Sequence, residues 1–160
     1  MEEANVVRWK VSDRYGRRIW SWRSNRQGAC QPWRQLVVSD INRGAAERVS
    51  EEISSFGKAV PFVADTSKAE DSKRTVDFAL STFGKLHYAV NNAGIGGKQA
   101  PAGEVDIDDW DRVIGINLNG VMYGMRYQIP AMLAAGGAQS AIVNMASIHG
   151  AVAAVGNGAY

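Results

Sequence analysis

The chain has 160 residues, 46% hydrophobic and 21% charged, with a net charge of +2, the balance of one ordinary globular domain with a single core. No apolar run approaches the ~20 residues that span a bilayer, and the acidic start Met1-Glu2-Glu3 lacks the pattern of a signal peptide, which predicts a cytoplasmic protein without a membrane partner. A single cysteine, Cys30, excludes an internal disulfide and has no zinc-ligand spacing, so no metal site is expected.

Residues 1–35 stand apart. They hold eight Lys and Arg against three acids, a balance of +5 that leaves the remainder at −3, and four of the five tryptophans. From Leu36 onward the pattern alternates. Leu36 to Ser39 reads as a strand, and Ala45 to Phe56 as a helix, with Ala46, Val49, Ile53 and Phe56 at helical spacing and Gly57 as a stop. Ala59 to Ala64 reads as a second strand, Lys68 to Phe83 as a helix stopped by Gly84, and Leu86 to Val90 as a third strand. A longer helical region covers Asp108 to Ala135 with a break near Gly115, and Ala141 to Met145 forms a fourth strand. Apolar strands separated by helices predict an α/β fold, a doubly wound parallel sheet of Rossmann type.

Such a sheet binds ligands at the carboxyl ends of its strands. Asp40 closes the first of these strands, Asp65 the second, Asn91 to Gly94 the third, and Ser147 follows the fourth, so all four fall on one rim. An acid at Asp40 suits two ribose hydroxyls and repels a 2′-phosphate, although Arg43 is near; a turn or helix-capping aspartate is the other reading. Asp65-Thr66 by itself reads as a polar helix start that needs no ligand. Asn91-Asn92-Ala93-Gly94 combines amide and small residues that bring backbone close to a ligand and tie strands together. A ligand-free turn is its other reading.

Asn91-Asn92-Ala93-Gly94, Asn117, Ser147 and Tyr160, the last two thirteen residues apart, stand in an order that resembles the short-chain dehydrogenase/reductase family. The resemblance covers about Leu36 to Tyr160. It implies an NAD(P)-dependent interconversion of a small secondary alcohol and a ketone, with NAD the expected cofactor. Tyr160 corresponds to the acid/base, Ser147 to the residue that orients the substrate oxygen, and Asn117 to the one that holds a relay water. Asp40, Asp65, Thr66, Asn91, Asn92, Ala93 and Gly94 correspond to cofactor-binding positions. Asn117 and Asn119 are not distinguished by residue type alone. A tyrosine at its ordinary pKa of about 10 is a poor acid/base near neutrality, and the family places a lysine four residues later. That position lies beyond Tyr160, which predicts negligible turnover by the 160 residues themselves, or a non-catalytic remnant with weak nucleotide binding. Family members often form homo-oligomers. His149 and His87 read as a loop and a structural histidine, since no Gly-x-Ser-x-Gly surrounds Ser147.

Where the family carries Thr-Gly-x-x-x-Gly-x-Gly, the chain has Tyr15-Gly16-Arg17-Arg18-Ile19-Trp20-Ser21-Trp22. Tryptophan has a single codon, TGG, so a reading frame one base later turns Trp20, Trp22 and Trp33 into glycine and permits T-G-G-G-S-G-A-G over these eight positions. The hypothesis is that about residues 8–35 derive from a shifted frame, within a basic, tryptophan-rich segment 1–35 that stands in place of the first strand, glycine-rich loop and first helix. Codons that fail to spell this pattern one base later reject it. The other reading is a basic, aromatic arm that binds nucleic acid, which explains the charge but not the tryptophan positions. On either reading, residues 36–160 form a partial, incomplete Rossmann-like domain.

Overall fold

Leu36, Val37 and Val38 are all buried, yet they enter two different cores. Successive side chains of a strand point to opposite faces. Val37 packs with Val76, Ala79, Leu86 and Met132, whereas Leu36 and Val38 pack with Val49 and Ile53. A strand covered on both faces has no solvent side, which is why its sequence is continuously apolar rather than alternating. Each of these side chains contributes about 1.5–3 kcal/mol by burial.

The computed structural model describes residues 5–10, 35–55, 57–152, 155–156 and 158–159. Its sheet has five strands: β1 (Asn5–Lys10), β2 (Gln35–Asp40), β3 (Lys58–Val63), β4 (Tyr88–Asn91) and β5 (Ala141–Asn144). They are parallel and ordered β3-β2-β1-β4-β5. The chain builds outward from β1 to β3, then crosses to β4 on the other side of β1. This reversal of winding is the switch point at which an open α/β sheet forms its crevice. Helix α1 (Arg43–Ser54) packs on one face through Val49 and Ile53, and α2 (Ala69–Phe83) and α4 (Gly120–Ala134) on the other. Helix α3 (Ile107–Ile114) leads into α4 through a π-helical turn, Gly115–Asn119, whose signature is the Gly120 N–H bonded to Gly115 O.

The α/β doubly wound parallel sheet read from the sequence is the observed fold. The structure differs at the start, where the pattern contains no strand before Leu36. Asn5–Lys10 is a strand, and it lies at the centre of the sheet, with Val6 in register between Leu36 and Tyr88. Arg8 and Lys10 interrupt the apolar run that marks a central parallel strand, so pattern alone misses it. Residues 11–34, and with them the Tyr15 to Trp22 segment and most of the shifted-frame hypothesis, lie outside the described residues. The predicted break near Gly115 is the π turn, and Gly84 ends α2 at φ +81, a left-handed conformation that favours glycine. No helix among the described residues is long and apolar enough to cross a membrane.

Candidate functional site

Parallel pairing aligns the strand ends. Lys10, Asp40 and Val63 share one register line, and Trp9, Asn91 and Asn144 share the next. Asp40, Asp65, the Asn91 to Gly94 run and Ser147 therefore follow from one rim of the sheet.

Asp40 is 1% exposed, and its Oδ1 accepts the Asn42 N–H at 2.8 Å. Asn42 is itself the N-cap of α1, accepting the Ala45 N–H at 3.1 Å. Asp40 thus sets the turn, and Asn42 performs the capping. Arg43 reaches toward Glu47, 3.8 Å away on the exposed side of α1. Asp65 makes the corresponding turn at α2. Its Oδ1 accepts from both the N–H and the hydroxyl of Ser67, at 3.0 and 2.7 Å, and its own N–H donates to Asp71 Oδ2 at 2.8 Å. Thr66 is buried beneath Gly120, where an added Cβ would sit 2.8 Å from its Oγ1. Glycine at the start of α4 lets that helix close on the turn.

Asn91 is the most heavily bonded of the predicted residues. Its Nδ2 donates to Gln128 Oε1 at 3.2 Å and to Asn144 Oδ1 at 2.8 Å, while Gln128 Nε2 donates back to Asn91 Oδ1 at 2.8 Å. The side chain joins β4, α4 and β5, and Met145 N–H donates to Asn91 O at 2.9 Å. Gln128 is fully buried, and Gly124 leaves room for the pair: a Cβ there would lie 2.7 Å from Asn91 Oδ1. Asn92 and Gly94 are half-buried on the loop that follows, and Ala93 packs against the larger core.

The π turn separates the two candidate asparagines. Asn119 is exposed, whereas Asn117 faces the loop: Oδ1 accepts the Ile95 N–H and Nδ2 donates to Ile95 O, both at 2.9 Å. Single-turn π insertions occur frequently at functional sites. Ser147 begins a short 3₁₀ turn, Ile148–Gly150, with Oγ accepting the His149 N–H at 3.2 Å and the hydroxyl hydrogen left to donate. His149 Nδ1 lies 3.2 Å from Val152 O. His87 is buried just before β4. Tyr160 lies outside the described residues.

Three residues absent from the sequence reading emerge here: Gln128, Asn144 and Asp109. Gln128 is the lone amide of α4, a signal visible in sequence but without a partner until β4 is placed. Asp109 stands third in α3 behind the capping Asp106, and its side chain is 4% exposed. Its Oδ2 accepts the Lys98 N–H at 2.6 Å and its Oδ1 the Arg112 guanidinium at 2.7 Å. The Lys98 N–H, and next the Arg112 side chain, hold this carboxyl below the ordinary aspartate range. Among the described residues, no three His, Cys, Asp or Glu converge in a metal-binding group.

Comparison with known proteins places these features in a family. Residues 27–160 match the family model described as enoyl-(acyl carrier protein) reductase. The chain is 53% identical over 118 residues to a cyclohexanol dehydrogenase of Acinetobacter sp. (strain SE19), covering 73% of this chain and 46% of the relative. It is 36% identical over 125 residues to a 3beta-hydroxysteroid dehydrogenase 2 of Eggerthella lenta, covering 78% and 48%. Among solved structures, an NAD+-bound xylitol dehydrogenase superposes with a TM-score of 0.74 at 30% identity, over 78% of this chain and 48% of that one. A 3-ketoacyl-(acyl-carrier-protein) reductase from Brucella melitensis complexed with NADH gives 0.71 at 38% identity, over 78% and 51%. The chain spans about half the length of the curated relatives it matches. A parallel sheet in the order β3-β2-β1-β4-β5, the asparagine-rich end of β4 and these matches together identify the chain as a member of the short-chain dehydrogenase/reductase family.

Proposed function

We propose that the chain is the cofactor-binding part of an NAD-dependent oxidoreductase that interconverts a cyclic secondary alcohol and its ketone. What supports this reading is the order along the carboxyl rim: Asp40 and Asn91 end the two strands that flank β1 at the switch point, Asn117 is bonded to the loop after β4, and Ser147 follows β5. The cyclic substrate class is drawn from relatives named for six-membered-ring alcohols: the cyclohexanol dehydrogenase, and a trans-4-hydroxycyclohexanecarboxylate dehydrogenase of Sinomonas cyclohexanicum that is 35% identical.

The residues present suit a dinucleotide. Asp40 is an acid at the end of β2, and Arg43 extends away along α1 to Glu47 rather than to Asp40, which favours a free 2′-hydroxyl over a 2′-phosphate. Gly94 brings backbone close to the Asn117 carboxamide, its absent Cβ leaving 3.4 Å to Oδ1. Bound there, a nicotinamide ring supplies the hydride acceptor or donor. Ser147 donates its hydroxyl hydrogen to the substrate oxygen, Tyr160 exchanges the proton with that oxygen, and Asn117 holds the loop wall at Ile95 while its second amide hydrogen is offered to a relay water. Asn91, with both amide atoms engaged by Gln128 and Asn144, acts through the positions of β4 and β5 rather than by touching the cofactor.

Fluorescence titration with NADH and NADPH tests the cofactor assignment. Saturable NADH binding, tighter than NADPH, is expected, and the preference should shrink in Asp40→Ala. No NADH binding at millimolar concentration rejects the reading. Hydride transfer from cyclohexanol to NAD+ tests the roles at the reacting centre: any turnover should fall on the order of 10²–10⁴-fold in Tyr160→Phe, and turnover that survives both that change and Ser147→Ala removes those residues from the mechanism.

A further inference from the structure

The loop that leaves β4 is pinned from one side at two places. Asn117 holds Ile95 by two bonds, and Asp109, about two helical turns earlier on the chain that forms α3, holds the Lys98 N–H at 2.6 Å. Between them Gly97 adopts φ +68, and a Cβ there would lie 3.0 Å from Val113, 3.1 Å from Asp109 Oδ2 and 3.5 Å from the Ala159 side chain. Gly97 is therefore where the loop, the acid and the segment before Tyr160 come closest together.

That segment is docked on the same loop. Ala100 N–H donates to Gly156 O at 2.7 Å, and Gly158 N–H donates to Ala100 O at 3.3 Å. Gly158 also approaches Val105 and Ala102 so closely that a Cβ would sit 2.6 and 3.1 Å from them. Ala159, covalently joined to Tyr160, is 4% exposed. The path from Asp109 to this seat is short: carboxylate to Lys98 N–H, one residue to Gly97 under Ala159, two residues to Ala100 and its paired bonds.

We propose that Asp109 is a positioning residue for the chain that leads to Tyr160: by fixing Lys98 it sets the loop surface on which Gly156, Gly158 and Ala159 dock. The identity of Tyr160 as the residue served rests on the function proposed above; the mechanical link between Asp109 and residues 155–159 does not. A buried carboxylate that accepts a loop N–H on one oxygen and an arginine on the other holds that loop more stiffly than a helix-capping side chain alone, because both acceptors are charge-assisted.

Amide hydrogen exchange on the 160-residue chain tests the link. Asp109→Ala should accelerate exchange roughly tenfold or more in the peptides covering both 96–100 and 155–160, with the β2 and β4 peptides unchanged. Asp109→Asn retains an oxygen that accepts the Lys98 N–H and should stay within about threefold of the wild-type protein. Gly97→Ala, which displaces the same carboxylate without deleting it, should reproduce the effect of Asp109→Ala should that variant fail to fold. Acceleration of 96–100 with 155–160 unaffected overturns the proposal, as does an Asp109→Asn variant as fast as Asp109→Ala, which would assign the effect to Arg112. NADH titration of the same samples separates the two claims: wild-type protein that fails to bind NADH rejects the proposed function and leaves the exchange result standing on its own.

Discussion

The Asn117 carboxamide and the Ile95 backbone form a closed two-bond ring, with Ile95 N–H donating to Oδ1 and Nδ2 donating to Ile95 O, both at 2.9 Å. A side chain thereby replaces the strand partner that this loop backbone has just lost on leaving β4. Asn117→Ala is expected to cost about 1–3 kcal/mol in urea unfolding, since two partly buried backbone groups lose a partner at once. Asn119→Ala, on an exposed position, should change stability by less than about 0.5 kcal/mol. Equal effects at the two positions would mean that the π turn does not select Asn117.

The pair of Asn91 and Gln128 should behave as one unit. Asn91→Leu or Gln128→Leu alone leaves a buried amide without its partner, whereas the double substitution removes both polar groups. A double-mutant cycle should give a coupling of about 0.5–3 kcal/mol, the double variant being less destabilised than the sum. Strict additivity would show that the two amides do not depend on each other.

Gly124 is helical, so alanine there carries an intrinsic helix-propensity gain of about 1 kcal/mol. Its Cβ would meet Asn91 Oδ1 at 2.7 Å and Gln128 Nε2 at 3.1 Å. Overpacking costs typically about 1–3 kcal/mol, so Gly124→Ala should be net destabilising in thermal melts. Truncation in an Asn91→Ala background opens the space, and the same Gly124→Ala change should then become neutral or stabilising.

The Asp109 carboxyl is held below the ordinary aspartate value, first by the Lys98 N–H and then by Arg112, against burial that raises it. A lowered folded pKa means that the unfolded chain takes up the proton first as pH falls. The stabilisation is therefore complete above the ordinary value and is lost as pH drops through the folded one. The stability difference between the wild-type protein and Asp109→Asn, from urea melts, should be constant from about pH 5 to 7 and shrink below about pH 4. A difference that persists unchanged into acid would assign it to packing rather than to charge.

Most of the sheet was legible because burial on both faces imposes a visible composition. Four of its strands and helices α1, α2, α3 and α4 follow from apolar runs, helical spacing and glycine stops, with boundaries within a few residues. β1 was not, because Arg8 and Lys10 break the run and its place depends on two neighbours far along the chain. The rim positions were legible for the same reason as the strands: a residue that ends a parallel strand is on the rim whatever its side chain does. What each side chain does there was not. Asp65 and Thr66 build the start of α2 and the seat of α4, and Asn91 binds protein on both amide atoms.

By itself, the sequence determined the parallel α/β architecture, the family and the list of rim residues, because these follow from periodicity and from the order of residue types along the chain. Tertiary structure alone decided which atoms of those residues are already engaged. It gave Asn117, already singled out by its place in the motif order, the Ile95 backbone as partner while Asn119 stays exposed, brought Gln128 to Asn91 across 37 positions, and set Asp109 under the loop that carries Gly156 and Gly158. Hydrogen bonds require an ångström-scale approach in three dimensions, and no local pattern encodes a distance between residues that the chain brings together only after the sheet has formed.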